Sequence, residues 1–211
     1  MPLPRFQRLA PADRARILGV ARAHFARDGQ DGASYNRIIA DAGISKASAY
    51  HYFDGKADLF GAVVADASAR VAAALGAWSP QPDARAFWRE LAAANERLLA
   101  HLAEHPDDRA LLAAAPAETG SAETGSGETG SGGTAAGASP WTAEIVTDAR
   151  RLGLVTVPDE PELLLAATQG VLDALDRFAL TEPGRAEVAA HRLPPLLARL
   201  WGSPASAASA G

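Results

Sequence analysis

An all-α fold is predicted: an N-terminal helix-turn-helix domain of three helices, followed by a larger helical domain, with about nine helices in total. Three observations predict it. Alanine and leucine are abundant, and β-branched runs bounded by hairpin turns are scarce. Apolar residues recur at spacings of three and four, the period of a helix with one buried face. Serine, glycine and proline punctuate the chain where helices would start and stop.

The elements follow in order. Ile17, Ala21, His24 and Phe25 lie at helical spacing, which predicts a helix over Asp13–Arg27 with Gly29 as its C-cap. Ser34 suits the N-cap of a short helix reaching Asp41, with Ile38 and Ile39 turned to the core, and Gly43 breaks it. Ser45 opens another short helix to about Phe53. Asp54-Gly55 is a turn, and a longer helix is expected from Lys56 to Leu75. After the proline-bearing break at residues 79–82, Asp83–Glu104 reads as a long amphipathic helix. Its stripe is Phe87, Leu91, Leu98 and Leu102, with Trp88 and Leu99 beside it. Pro106 at a first helical position starts a shorter helix to about Ala115.

Residues 116–140 differ in kind. They contain the tandem units Ala-Glu-Thr-Gly-Ser, Ala-Glu-Thr-Gly-Ser and Gly-Glu-Thr-Gly-Ser and hold no large apolar side chain, so a flexible linker is expected. Helical pattern resumes at Pro140-Trp141 and runs to Leu152, where Gly153 ends it. Glu160–Leu180 is strongly amphipathic, and Pro183–Trp201 is a final helix that Pro194-Pro195 should kink or break.

Composition narrows the function. Hydrophobic residues make up 48% of the 211, which suits a globular chain. No apolar run reaches the roughly 18 residues that span a bilayer, and the first ten residues lack the apolar block of a secretory signal. Cysteine is absent, removing disulfides, thiolate metal sites and cysteine nucleophiles. A cytoplasmic setting without membrane contact is expected. The net charge of −5 divides unevenly: residues 1–60 hold nine Arg/Lys against six Asp/Glu, the remainder eleven against nineteen. A basic head on an acidic body suits an anion-binding module carried by a domain with another task.

Two short helices joined by a glycine turn, the second opening on Ser-Lys, describe a helix-turn-helix. A helix that enters the major groove, about 12 Å wide, needs small side chains at its leading end. Ser45-Lys46-Ala47-Ser48-Ala49 supplies them. Phosphate oxygens need donors nearby, and Tyr50, His51, Tyr52 and Lys56 can donate. Lys46 and Lys56 are the only lysines in the chain, and both fall in this segment.

The stretch from Ile38 to Phe60, Ile-Ile-Ala-Asp-Ala-Gly-Ile-Ser-Lys-Ala-Ser-Ala-Tyr-His-Tyr-Phe-Asp-Gly-Lys-Ala-Asp-Leu-Phe, resembles the DNA-binding signature of the TetR family of transcriptional regulators. Phe25-Ala26-Arg27-Asp28-Gly29 fits the end of that family's preceding helix, and the likeness covers residues 13–60. It departs from the pattern at Ala47 for the usual glycine, Ala49 for leucine, Tyr52 for histidine and Ile39 for a small alanine, so base preference does not transfer. The resemblance implies a DNA-binding domain at 1–60 and an effector-binding and dimerisation domain at 61–205. It places Asn36, Arg37, Lys46, Ala47, Ser48 and Tyr50 toward the groove. Ser34, Tyr50, His51, Tyr52 and Lys56 are placed toward phosphate, with Ser45 as a helix-starting donor. Phe53 reads as core, Ser34 and Ser45 are caps first, and Asn36 and Arg37 also suit an ordinary solvated helix face.

The implied partners are double-stranded operator DNA, a second copy of the chain and an unknown small-molecule effector. No cofactor is implied. Phe87, Trp88, Leu91, Asn95, Leu98 and Trp141 are the candidate effector lining, although Asn95 equally suits a hydrogen bond inside a bundle. Leu164, Ala167, Val171, Leu172 and Leu175, with Leu163, form an apolar stripe wide enough for a homodimer seam. The alternative is a helical ligand carrier or enzyme with an incidental helix-turn-helix. Against an enzyme, the chain carries no nucleophile elbow, phosphate loop or dinucleotide fingerprint. His101 and His105 share a helix face that suits a metal, but a second ligand pair is missing and a solvated helix end is the preferred reading.

Overall fold

The computed structural model describes residues 2–115, 138–157, 160–181 and 184–203. Almost all of the expected linker therefore lies outside the described residues. Among those residues there are ten helices and no strand: α1 (Pro4–Gln7), α2 (Pro11–Gly32), α3 (Tyr35–Asp41), α4 (Lys46–Tyr52), α5 (Lys56–Leu75), α6 (Ala84–Glu104), α7 (Pro106–Ala114), α8 (Pro140–Arg151), α9 (Pro161–Thr181) and α10 (Arg185–Leu200).

Local chemistry sets most of these boundaries. Pro4, Pro11, Pro106 and Pro140 each start a helix, where the missing N–H would have had no helical partner. Ser45 and Ser139 cap α4 and α8 by accepting from the amides of Ser48 and Thr142 at 3.0 and 3.1 Å. Ser34 occupies the corresponding place before α3 with extended backbone, but its side chain makes no cap bond. Gly29 (φ 70°) and Gly43 (φ 64°) take left-handed backbone that other residues adopt at a cost. Gly29 breaks the regular helix where its end was expected, and a short helical segment up to Gly32 follows across the kink.

Two expectations need correction. The short α1, with buried Phe6, had no counterpart in the sequence reading. Of the kink or break expected at Pro194-Pro195, the break is absent, since α10 runs continuously through both. Each proline removes one helical hydrogen bond. Burial of Leu193, Leu197, Ala198 and the following Trp201 offsets that loss, at about 1.5–3 kcal/mol for each large side chain.

The chain divides into two compact units, one of residues 1–74 with 100–116, the other of 75–99 with 117–211. Residue 60 is thus inside α5 and not at a boundary. The first unit has its own core of Phe6, Ile17, Phe25, Ile38, Phe53, Leu59, Phe60, Val63 and Leu111, and α7 packs on α2. The second is built on Trp78, Phe87, Trp88, Leu91, Ile145, Leu154, Leu164, Leu197 and Trp201, with α9 packed on α8 and α10. No helix of the described residues is long and apolar enough to cross a membrane.

Candidate nucleic-acid interface

The placing of α4 begins with α2 and α3. His24 is buried on α2, and its Nε2 lies 2.8 Å from a carboxylate oxygen of Asp41 at the end of α3. Arg16, also on α2, donates to the carbonyl of Ala42 just beyond α3. These two contacts hold the C-terminal end of α3, and Gly43 then turns the chain so that α4 starts at once. Ala49 is wholly buried on the inner side of α4, Ile39 of α3 is buried, and Phe53 beyond α4 is 1% exposed. The inner side of α4 is therefore apolar, and the rest of it is left for solvent.

Ser45, Lys46, Ala47, Tyr50 and His51 are all exposed on that remaining surface. On and just before α3, Ser34, Asn36 and Arg37 are exposed as well. Tyr50 is 56% exposed, and its ring meets Tyr35 edge-on at 6.3 Å. The Tyr35 hydroxyl is buried with no hydrogen-bond partner among the described residues, and burial pushes its pKa up, so it stays a neutral donor.

Other predicted site residues have local duties. Ser48 is half-buried, with its Oγ 2.8 Å from that of Ser45, so both hydroxyls are engaged in the cap. Tyr52 is half-buried against Phe6 and Phe53. Lys56 directs its Nζ to the carbonyls of Asp31 and Ala33, at 2.8 and 3.2 Å. It thereby joins the first turn of α5 to the end of α2. Sequence reasoning missed the roles of Arg16, His24 and Asp41, whose partners are 17 to 26 residues away. The single sign was a histidine on the apolar stripe of α2.

In the second unit, Phe87, Trp88 and Leu91 are at most 2% exposed and packed with Trp78 and Trp201; Trp141, half-buried, borders them. Asn95 and Leu98 are half-buried and belong to neither core cluster. Leu164 is fully buried in this chain's own core, while Ala167, Val171, Leu172 and Leu175 are half-buried. The exposed large apolar side chains of α9 and α10 are instead Leu163, Phe178, Val188 and Leu196.

Comparison with known proteins agrees with this geometry. Residues 17–63 match the family model of bacterial regulatory proteins, tetR family. No curated protein matches the chain. Among solved structures, a TetR-family transcription regulator from Shewanella sp. PV-4 is similar, with a TM-score of 0.56 at 17% identity over 90% of this chain and 96% of that one. A TetR-family regulator from Streptomyces coelicolor A3 gives 0.53 at 20% identity, covering 93% of this chain and 99% of that one. A TetR-like transcriptional regulator from Rhodococcus sp. RHA1 gives 0.52 at 22%, covering 92% and 97%. At these identities the likeness is one of fold, and it extends over nearly the whole of each chain. The helix-turn-helix segment, residues 17–63, is thus that of the tetR family of bacterial regulatory proteins, and the all-helical fold along the rest is shared with solved TetR-family regulators.

Proposed function

We propose that this DNA-binding regulator is a ligand-responsive repressor that binds a palindromic operator as a homodimer. The observation that carries the DNA contact is the leading end of α4. Ser45, Lys46 and Ala47 are small or cationic and exposed, on a helix whose inner side is anchored by Ala49 and Phe53. Such a helix fits the major groove, with Asn36, Arg37, Lys46, Ala47, Ser48 and Tyr50 toward base edges. Ser34, His51 and Tyr52 face phosphates beside them.

One helix of about two turns reads few base pairs, so specificity calls for two heads on one rigid body. The outward apolar residues of α9, Leu163, Ala166, Gly170, Ala174 and Phe178, recur every three or four positions and form one stripe. Its small members allow close approach of a second copy of the helix. The proposed seam lies along it, one step round the helix from fully buried Leu164.

An effector would act by preferring one spacing of the two heads, and its reach is limited to its differential affinity for the two states. The aromatic cluster of α6 supports a site for it. Trp88 Nε1 is a buried donor without a hydrogen-bond partner among the described residues, a state that costs about 1–3 kcal/mol unless an acceptor is supplied.

Sequencing the DNA retained by purified protein from a random duplex pool tests this reading. An inverted repeat is expected, with half-site centres about 34–36 Å apart or a multiple of that distance. Absence of any enriched sequence would overturn it.

A further inference from the structure

Residues before the matched family segment form a cationic arm on the recognition helix. Leu3 donates its amide to the Tyr52 carbonyl at the end of α4, at 2.9 Å. Phe6, 3% exposed, inserts its ring against Phe53 and Tyr52 at centroid distances of 4.7 and 6.2 Å. Arg14 of α2 donates to the carbonyls of Gln7 and Leu9 at 2.6 and 2.9 Å and fixes the far end of the arm. Anchoring at both ends leaves Arg5 and Arg8 exposed. Together with Leu3, Pro4, Tyr50 and His51 they line a shallow, open concavity of about 450 Å³.

We infer that Arg5 and Arg8 form a second DNA contact, a clamp on the sugar-phosphate backbone beside the C-terminal end of α4. The inference rests on the DNA-binding reading above. Four features carry it. The concavity holds two guanidinium groups and no carboxylate, so an anion is the fitting occupant. It shares Tyr50 and His51 with the candidate interface, so a duplex on α4 would pass beside it. The arm is packed down, so ordering it costs nothing at binding. Finally, base edges are read from the N-terminal part of a recognition helix, which leaves phosphate for groups at its other end.

The experiment measures duplex affinity against salt by fluorescence anisotropy, using the full chain with both a random-sequence duplex and a selected one. Arg5→Ala/Arg8→Ala should weaken both duplexes alike and reduce the salt slope by about two, since each phosphate contact contributes about 0.9. Its Kd, relative to the unaltered protein, should be roughly tenfold more impaired at about 50 mM salt than at about 200 mM. Arg5→Lys/Arg8→Lys should restore most of the slope. Arg89→Ala/Arg150→Ala, which removes the same charge from exposed positions of the other unit, should leave it unchanged. An unchanged slope in the Arg5/Arg8 variant, a change confined to base preference, or an equal loss in the Arg89/Arg150 control would overturn the clamp. A protein that binds no duplex even when unaltered would instead remove the underlying DNA-binding reading.

Discussion

Lys56 shows how one side chain can serve the fold and the interface together. Its three ammonium hydrogens exceed the two carbonyls, Asp31 and Ala33, that it reaches, so phosphate contact and internal bridging are compatible. The two roles separate experimentally. Lys56→Met keeps the apolar stem and removes the donor. It should lower stability by about 1–2 kcal/mol, the range for hydrogen bonds to a charged group on a partly exposed side chain. Urea unfolding measures this. Unchanged stability with a salt slope reduced by about one would instead make phosphate its main partner. Ser45 and Ser34 offer a parallel contrast: both precede helices, but only Ser45 caps through its side chain, which leaves the Ser34 hydroxyl available to a partner.

Between elements, the first unit is joined by an ion cluster that no local motif announces. Asp108 of α7 is 1% exposed and meets Arg70 of α5, with His101 Nε2 of α6 at 3.1 Å and Arg22 of α2 at 3.7 Å. Asp66 also pairs with Arg70. Burial pushes the Asp108 carboxyl up, but hydrogen bonds from Arg70 and His101 and the charges of Arg70 and Arg22 outweigh it. Its pKa is therefore held below the usual 3.8. A folded value below the unfolded one means that the cluster stabilises fully above the ordinary carboxylate range. That stability is lost as pH falls through the folded value. Asp108→Asn leaves Arg70 without its buried partner and should cost about 3 kcal/mol at neutral pH, with Arg70's partial exposure keeping the figure from the top of the range. Acid unfolding curves should also show a shallower loss below about pH 4 in the variant. Equal stability of variant and parent at neutral pH would mean that solvent replaces the cluster.

For the whole molecule, the proposed dimer makes a demand that the single chain does not. Leu163 and Val188 are 59% and 49% exposed, so glutamate at both positions leaves the chain's own core untouched. Val171 and Leu175 pack partly on that core, and charges there would disturb folding and assembly together. Leu163→Glu/Val188→Glu should therefore sediment as monomer with unchanged helix content. Operator affinity should fall by about 10²-fold or more as the second head loses its high effective concentration. A double variant that stays dimeric with full affinity would put the seam elsewhere.

Much of this was legible from residues alone because it rests on short-range causes. The cap at Ser45, the helix start at Pro106, the turn at Gly43 and the spacing of Ile17, Ala21 and Phe25 act within a few residues, and the start of α4 and both ends of α5 follow the sequence closely. The density of motif residues between Ile38 and Phe60 likewise pointed to the segment that the tetR family model matches and to the leading end of α4. Tertiary structure decided what depends on partners distant in sequence. It turned Leu164 inward and Leu163 outward, a distinction of about 100° that an all-apolar run leaves open. It engaged Lys56 with carbonyls more than twenty residues away, gathered Asp108 with three helices, and seated Phe6 on Phe53 so that Arg5 and Arg8 flank α4. It also carried α10 through Pro194 and Pro195, where local propensity predicts an interruption. The physical reason is common to all: capping and periodicity are settled by neighbours along the chain, whereas burial and charge pairing are settled by which surfaces the fold brings together.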